Sequence, residues 1–360
     1  MPGQSTTQLV TLTIQIPVPI SIQFTQPEGY EFTINENAHS GRIIGQVAIE
    51  LTQILRQANT YIRYFDNEVN FGVDSLSGAI RTFNTFDYEN TQNYTFEVSA
   101  RLYIPTNIPP IDVQTSINVT VLITDENDNT PVFVHFPSNL TQLENQTFSE
   151  FLYHINATDA DSGANQLLQY EILNRDLHDK FSINSSTGEL YSVASLDREV
   201  QEVYLIAIQV SDSGTPRRST QGTVTLRLLD VNDNVPRLVD GFEISVYERT
   251  PPQSLLQLRA VDLDLHQNGM VQFYKVQTTV NGTQERVDTS LETRVITVSQ
   301  VGNLHLYREL DFEVAQWYNI HIRVVDLGNP PLQFVYTNIT LHVIDAVSYT
   351  HLTLPTIYSV

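Results

Sequence analysis

Asp125-Glu126-Asn127-Asp128-Asn129-Thr130-Pro131 returns 105 residues later as Asp230-Val231-Asn232-Asp233-Asn234-Val235-Pro236. A fixed period of this size marks a repeat architecture, each motif closing one unit and opening the next. Other landmarks keep the register. Leu196-Asp197-Arg198-Glu199 is echoed upstream by Phe86-Asp87-Tyr88-Glu89 and downstream by Leu310-Asp311-Phe312-Glu313. Asp159-Ala160-Asp161 returns as Asp262-Leu263-Asp264, each followed four residues on by an asparagine, Asn165 and Asn268. Asp212-Ser213-Gly214-Thr215-Pro216 returns as Asp326-Leu327-Gly328-Asn329-Pro330, and Gly turns at Ser77-Gly78 and Thr187-Gly188 precede the acidic pairs.

Between the landmarks lie short β-branched and aromatic runs that roughly alternate and end in turn residues. They cover Tyr94 to Ala100, Ile117 to Ile123, Val203 to Val210, Val224 to Leu229, Tyr318 to Val325 and Thr337 to Ile344. No long segment keeps a 3.6-residue period, and strands at this spacing point to antiparallel sandwiches, so the fold class is all-β. A chain of 360 residues exceeds one ordinary core and suits about two to four domains. The period sets repeats over 21–129, 130–234 and 235–346, after a leading segment 1–20 that is strand-like and belongs to a preceding repeat or linker. Residues 347–360 have the composition of a read-through tail and stand apart from the fold, so the chain is expected to be cut at both ends.

The chain carries 41 acidic and 19 basic residues, a net charge of -22, which repels a phosphate backbone and an anionic membrane surface alike. Clustered carboxylates are tolerable where a cation sits among them, which points to divalent metal. Cysteine is absent, which removes disulfides, thiolate metal sites and a cysteine nucleophile. Sequons at Asn93, Asn118, Asn139, Asn145, Asn156, Asn184, Asn281 and Asn338 favour a secreted chain. No apolar run is long enough to span a bilayer, so any anchor is expected outside this segment, and the N-terminus lacks a basic start and an apolar h-region.

Calcium takes about six to eight oxygen ligands from carboxylates, amides and carbonyls, and the repeated motifs offer those groups. In an extended Asp-X-Asn-Asp-Asn stretch the side chains alternate, so ligands can face both the unit behind and the unit ahead. A solvated surface is the default for any one acidic residue, and turn chemistry accounts for Asn and Asp types in loops. Neither accounts for the ordered return of the whole set.

These motifs in this order resemble the cadherin repeat family over residues 21 to 346. The resemblance implies tandem Greek-key β-sandwiches joined by calcium-binding linkers, with about three calcium ions at each complete linker. By motif, it assigns the first linker Glu36, Asp87 and Glu89 from above and Asp125, Glu126, Asn127, Asp128 and Asn129 from the connection. Asp159, Asp161, Asn165 and Asp212 complete that linker from below. The second linker receives Glu144, Asp197 and Glu199, then Asp230, Val231, Asn232, Asp233 and Asn234, with Asp262, Asp264, Asn268 and Asp326 below. Val231 can offer only a carbonyl, and the same is expected of Glu126, Asn129, Asn165, Asn234 and Asn268. Two departures limit the pattern. The first repeat lacks the Asp-X-Asp pair and the Asp-X-Gly-X-Pro turn, and the connection before it, Ile16-Pro17-Val18-Pro19-Ile20, has no acidic cluster. Glu248, Asp311 and Glu313 stand ready for a third linker, but the pattern stops after Asp345.

Catalysis finds no support: the nine histidines show no HExxH spacing, no GxSxG, Walker or GxGxxG signature is present, and a dyad such as Asp197 and Glu199 would not explain repetition. The resemblance implies calcium-dependent cell-cell adhesion on the extracellular face of the plasma membrane. The partner would be another cadherin in cis or trans, homophilic or heterophilic, and the parent protein membrane-anchored. The alternative is a spacer or force-bearing strut of a long cadherin whose recognition lies elsewhere. The single tryptophan, Trp317, is expected between strands of the third repeat, and none lies near the N-terminus to support strand exchange.

Overall fold

The computed structural model describes residues 20–51, 60–104, 111–146, 149–239, 243–280, 283–284, 295–329 and 334–346. Of the leading segment 1–20 only Ile20 falls within these residues; the tail 347–360, Pro330 and the sequon at Asn281 lie outside them. The chain forms two compact units. One comprises Met1–Val134, Ala157–Gln169 and Val210–Thr220; the other comprises His135–Asn156, Tyr170–Gln209 and Gln221–Val360. The first therefore holds the first repeat with the loops that carry Asp159, Asp161, Asn165 and Asp212, and the second holds every residue expected at the second linker.

The described residues contain strands and one short 3-10 turn, Arg175–Leu177, and no α-helix. In the first unit a four-stranded sheet runs in the order Tyr30–Asn35, Ile111–Thr124, Asn93–Ile104, Tyr61–Phe65. It faces a three-stranded sheet of Ile43–Gln46, Ala79–Thr82 and Phe71–Val73. Tyr30–Asn35 pairs in parallel with Ile111–Thr124, whereas Asn93–Ile104 pairs antiparallel with both of its neighbours. The plan recurs twice further along the chain. One four-stranded sheet has the order Asn139–Leu143, Ser219–Leu229, Val203–Ser211, Gln169–Ile172. The other runs Glu243–Tyr247, Phe334–Ile344, Trp317–Asp326, Val271–Val280, with Thr283–Gln284 added at its edge. The expected all-β sandwiches are thus present.

Alternation explains which face of each strand is inside. Along Asn93–Ile104, Phe96, Val98, Ala100, Leu102 and Ile104 are buried, while Thr95, Glu97, Arg101 and Tyr103 are exposed. That polar half hides the strand from composition, and the strands outrun the sequence expectation: Asn93–Ile104 against 94 to 100, and Ile111–Thr124 against 117 to 123. Ser219–Leu229 is likewise longer than 224 to 229, because Gly222 interrupts its β-branched run. A Cβ there would meet the Phe136 ring at 2.5 Å, so the glycine is a packing requirement and not a strand end. Trp317 opens the strand Trp317–Asp326, half-buried and paired with His342 of the neighbouring strand.

Each core is aromatic or aliphatic by position. In the first unit the Phe71 ring, fully buried, stacks on Phe86 at 4.9 Å and meets Phe96 and Tyr94 at 5.5 Å. Around the third repeat the core gathers Leu304, Leu306, Ile320, Ile322, Ile339 and Leu341. The Gly turns have a steric reason. Gly78 and Gly188 take φ of +75° and +76°, and a Cβ at either would lie 2.3 Å from a carbonyl oxygen, of Val47 and Ile155 respectively. Gly302 plays the same part against the Leu258 carbonyl, a third instance that its Val301 neighbour concealed.

Candidate metal centres

The end of one sheet and the start of the next place the acidic motifs together. At the first centre Glu36 follows the strand Tyr30–Asn35 and is 1 % exposed. Its Oε2 accepts the Tyr88 backbone N–H at 2.7 Å, and its Oε1 accepts that of Glu126 at 2.7 Å. One carboxylate therefore ties the Asp87-Tyr88-Glu89 loop to the connecting segment. Carboxylate oxygens of Glu36, Asp87 and Glu89 lie within 4.8 Å of one another, as do those of Glu89, Asp125 and Asp161. Desolvation, then the charges of Glu36 and Asp128, push the Glu89 carboxyl up to about 7.

The connecting residues divide their work by direction. Asp125 accepts from Ser162 N–H at 3.2 Å and from Asn165 Nδ2 at 2.7 Å. Asn129 donates through its N–H and Nδ2 to Asp161 Oδ1, at 3.2 and 2.8 Å. Glu126 turns away and accepts from Asn35 Nδ2 at 2.9 Å, in keeping with a carbonyl-only role. Asp212 is fully buried and accepts from the N–H groups of Gly214 at 2.9 Å and Arg218 at 3.0 Å. A Cβ on Gly214 would lie 2.5 Å from Asn127 Cγ and Asn165 Oδ1, so the Asp-X-Gly turn needs glycine because two asparagine side chains rest on it. Burial, then the charges of Asp161 and Asp212, raise the Asp159 carboxyl.

The second centre repeats the loop-tying glutamate and the asparagine bonds of the first, with Arg198 in the place of Tyr88. Glu144, fully buried, accepts the N–H groups of Arg198 at 2.7 Å and Val231 at 2.9 Å. Asp230 accepts from Leu265 N–H at 3.0 Å and from Asn268 Nδ2 at 2.8 Å. Asn234 donates to Asp264, and Asn232 Nδ2 donates to Asp326 at 3.1 Å. Oxygens of Glu144, Glu199 and Asp230 cluster within 4.8 Å, as do those of Glu199, Asp233 and Asp264. Desolvation and then Glu144 push the Glu199 carboxyl up to about 7; burial and neighbouring carboxylates also raise Asp233 and Asp262. Asp197 stays at the loop, where it accepts from Val200 N–H at 3.0 Å.

A third Glu copies the first two. Glu248 accepts the N–H groups of Phe312 at 3.2 Å and Ala346 at 3.3 Å, and Asp311 accepts that of Glu313 at 2.9 Å. Among the described residues no acidic cluster gathers around Glu248.

Sequence reasoning missed three functional side chains. Asn37 and Asn145 both adopt left-handed φ, +57° and +55°. Asn37 donates to Asp128 Oδ2 at 2.6 Å, and Asn145 makes the matching bond to Asp233. The signal was present as the recurring pair Glu36-Asn37 and Glu144-Asn145, but the second asparagine was counted only as a sequon. The third is Arg198, whose guanidinium pairs with Glu199 and with Asp230 at 2.6 Å.

The donor set suits a hard cation. Asn127 Oδ1, Asp159 Oδ2 and Asp161 Oδ2 at the first centre are buried without a hydrogen-bond partner, as are Asp262 Oδ2 and Asp326 Oδ2 at the second. A buried carboxylate oxygen left unpaired is costly, several times so when carboxylates crowd together, and oxygen-ligated divalent metal relieves both costs.

A family model of the cadherin domain matches residues 30–122, 138–229 and 242–344. Human Protocadherin Fat 4 is 30% identical over 353 residues, covering 92% of this chain and 7% of that protein. Human Protocadherin-23 is 30% identical over 356 residues, covering 98% of this chain and 10% of that protein. The chain thus spans a tenth or less of the length of these two relatives. Among solved structures, mouse Cadherin-23 EC22-24 aligns with a TM-score of 0.74 at 26% identity, covering 90% of this chain and 99% of that one. The Protocadherin GammaB4 extracellular domain aligns with a TM-score of 0.69 at 26% identity, covering 89% and 49%.

Proposed function

This chain belongs to the cadherin family, an adhesion family, and from that premise we propose that it is a calcium-stiffened segment of an extracellular adhesion array. The observation that carries the reading is the crowding of carboxylate oxygens within 4.8 Å of one another at two places one repeat apart, each with buried carboxylate oxygens nearby in the same motifs that have no hydrogen-bond partner. Repeats would run 21–129, 130–234 and 235–346, with the junctions at the two Asp-X-Asn-Asp-Asn motifs.

The chain's own residues would do most of the work. Glu36 and Glu144 fasten their loops to the connecting segment through two backbone N–H bonds each, which places Asp87, Glu89, Asp197 and Glu199 beside it. Asn37 and Asn145 hold Asp128 and Asp233, while Asn129 and Asn234 hold Asp161 and Asp264. The oxygens of Asp159, Asp161, Asp262 and Asp326 that lack a hydrogen-bond partner would face the cation, together with Asp125, Asp212 and Asp230, whose oxygens also accept N–H bonds, and carbonyls from Glu126, Val231, Asn129, Asn234, Asn165 and Asn268. Calcium, when bound, supplies the positive charge that bridges carboxylates which otherwise repel, so the joint stiffens with it and flexes without it. About three ions at each complete junction, with affinity in the extracellular range of about 10⁻⁴ to 10⁻³ M, fit this reading.

The parent would be membrane-anchored, with this segment outside the cell and another cadherin as its partner. A spacer or strut function, with recognition elsewhere in a longer cadherin, is the second reading. Small-angle scattering of residues 1–346 in calcium and in chelator tests the junction mechanism. A rod that shortens and broadens in chelator supports it. A profile identical in both returns the carboxylates to ordinary solvated surface.

A further inference from the structure

The two centres share their carboxylates but not their cations. At the second, the Arg198 side chain is 8% exposed, and its guanidinium is seated among the acidic groups. Nη2 pairs with Glu199 and with Asp230 at 2.6 Å and donates to the Leu263 carbonyl at 3.0 Å, while Nε lies 3.8 Å from Glu144 Oε1. At the first centre the matching position is Tyr88, half-buried and packed on the core. Arg218 does approach that centre, but its Nε goes to the Asn127 carbonyl at 2.8 Å. No ion pair among the described residues reaches Glu36, Asp87, Glu89 or Asp125.

We infer that Arg198 is a built-in counter-cation of the second junction, competing with divalent metal for Glu144, Glu199 and Asp230, so that the two junctions differ in calcium affinity. The inference rests on the calcium reading above and adds a residue to it. Calcium coordinates at about 2.3 to 2.6 Å and needs the oxygens that the guanidinium holds. To admit the ion, Arg198 must leave Glu199 and Asp230, and its charge then repels the incoming one at short range. The same contacts offset carboxylate repulsion when calcium is scarce. The second junction should therefore bind calcium more weakly and loosen less in chelator than the first, giving the array two thresholds instead of one.

The experiment follows hydrogen exchange of 125–131 and 230–236 separately during a calcium titration of the full chain, for wild type, Arg198→Tyr, Arg198→Lys and Tyr88→Arg. Tyrosine is the residue the first junction carries at this place, and lysine keeps the charge. The expected result is a wild-type midpoint for 230–236 on the order of tenfold above that for 125–131, given one extra close charge of the metal's own sign. Arg198→Tyr should close most of that gap and speed exchange of 230–236 in chelator. Arg198→Lys should stay near wild type, and Tyr88→Arg should raise the midpoint of 125–131. Unchanged 230–236 midpoints in Arg198→Tyr, or a lysine variant that behaves like the tyrosine one, overturn the inference. If calcium protects neither segment in wild type, the calcium reading fails first.

Discussion

Glu36→Ala is the most informative single change, because this side chain joins loop to connecting segment through its own hydrogen bonds. Its two oxygens accept the Tyr88 and Glu126 N–H groups, each at 2.7 Å, in a site that is 1 % exposed. Hydrogen bonds to a charged acceptor contribute about 1.5–3 kcal/mol each, and the substitution leaves two donors without partners. Repulsion runs the other way. Glu36 is among the charges that push Glu89 up to about 7, but it ranks behind desolvation there, so its relief offsets only part of the loss. The net expectation in chelator is a loss of about 2–3 kcal/mol, a fall in melting temperature of about 5–10 °C for a unit of this size. Glu36→Gln keeps one carbonyl acceptor and should lose about half as much in chelator, while losing calcium affinity at 125–131 as fully as the alanine variant. Amide exchange at Tyr88 and Glu126, with melting followed by circular dichroism, separates the two roles. Unchanged exchange at both amides in the alanine variant, measured in chelator, would refute the assignment of Glu36 as the tie between loop and connecting segment.

Asp128→Ala and Asp233→Ala should each lower calcium affinity at their own junction by roughly tenfold or more, judged against the handful of oxygens a calcium site needs. Calorimetric titration would show it, and unfolding in chelator should hardly change, since each carboxylate is partnered only through exposed bonds to asparagine side chains, Asn37 and Asn129 for Asp128 and Asn145 and Asn234 for Asp233. Gly214→Ala forces a Cβ to 2.5 Å from Asn127 Cγ and Asn165 Oδ1, so scattering of this variant should show a joint that calcium no longer stiffens. A wild-type response would mean the two asparagines can move aside freely. Phe71→Ala should cost the first unit about 3–5 kcal/mol, as removal of a fully buried ring does. Trp317 belongs to the other unit, so its fluorescence transition should stay in place, and a shift there would contradict the division into separate units.

The sequence by itself determined the repeat, the fold class and the identity of the acidic residues. Each follows from local chemistry: period-2 burial writes strands into the residue types, and a ligand set must be spelled in Asp, Glu and Asn wherever it is used. It under-reported the strands whose outward faces are polar, as at Arg101, and the one interrupted by Gly222. Those lengths are fixed by what lies across the sheet or against the glycine, here Leu102 in the core and the Phe136 ring. Only the tertiary structure decided how the ligands are held. Glu36 reaches Tyr88 and Glu126 across 52 and 90 residues of chain, and Asn37 reaches Asp128 across 91. No local pattern encodes such a contact. Tertiary structure alone also distinguished the two centres, since Tyr88 and Arg198 occupy one motif position while a tyrosine ring packs inward and a guanidinium, needing anions, turns into the cluster of carboxylates.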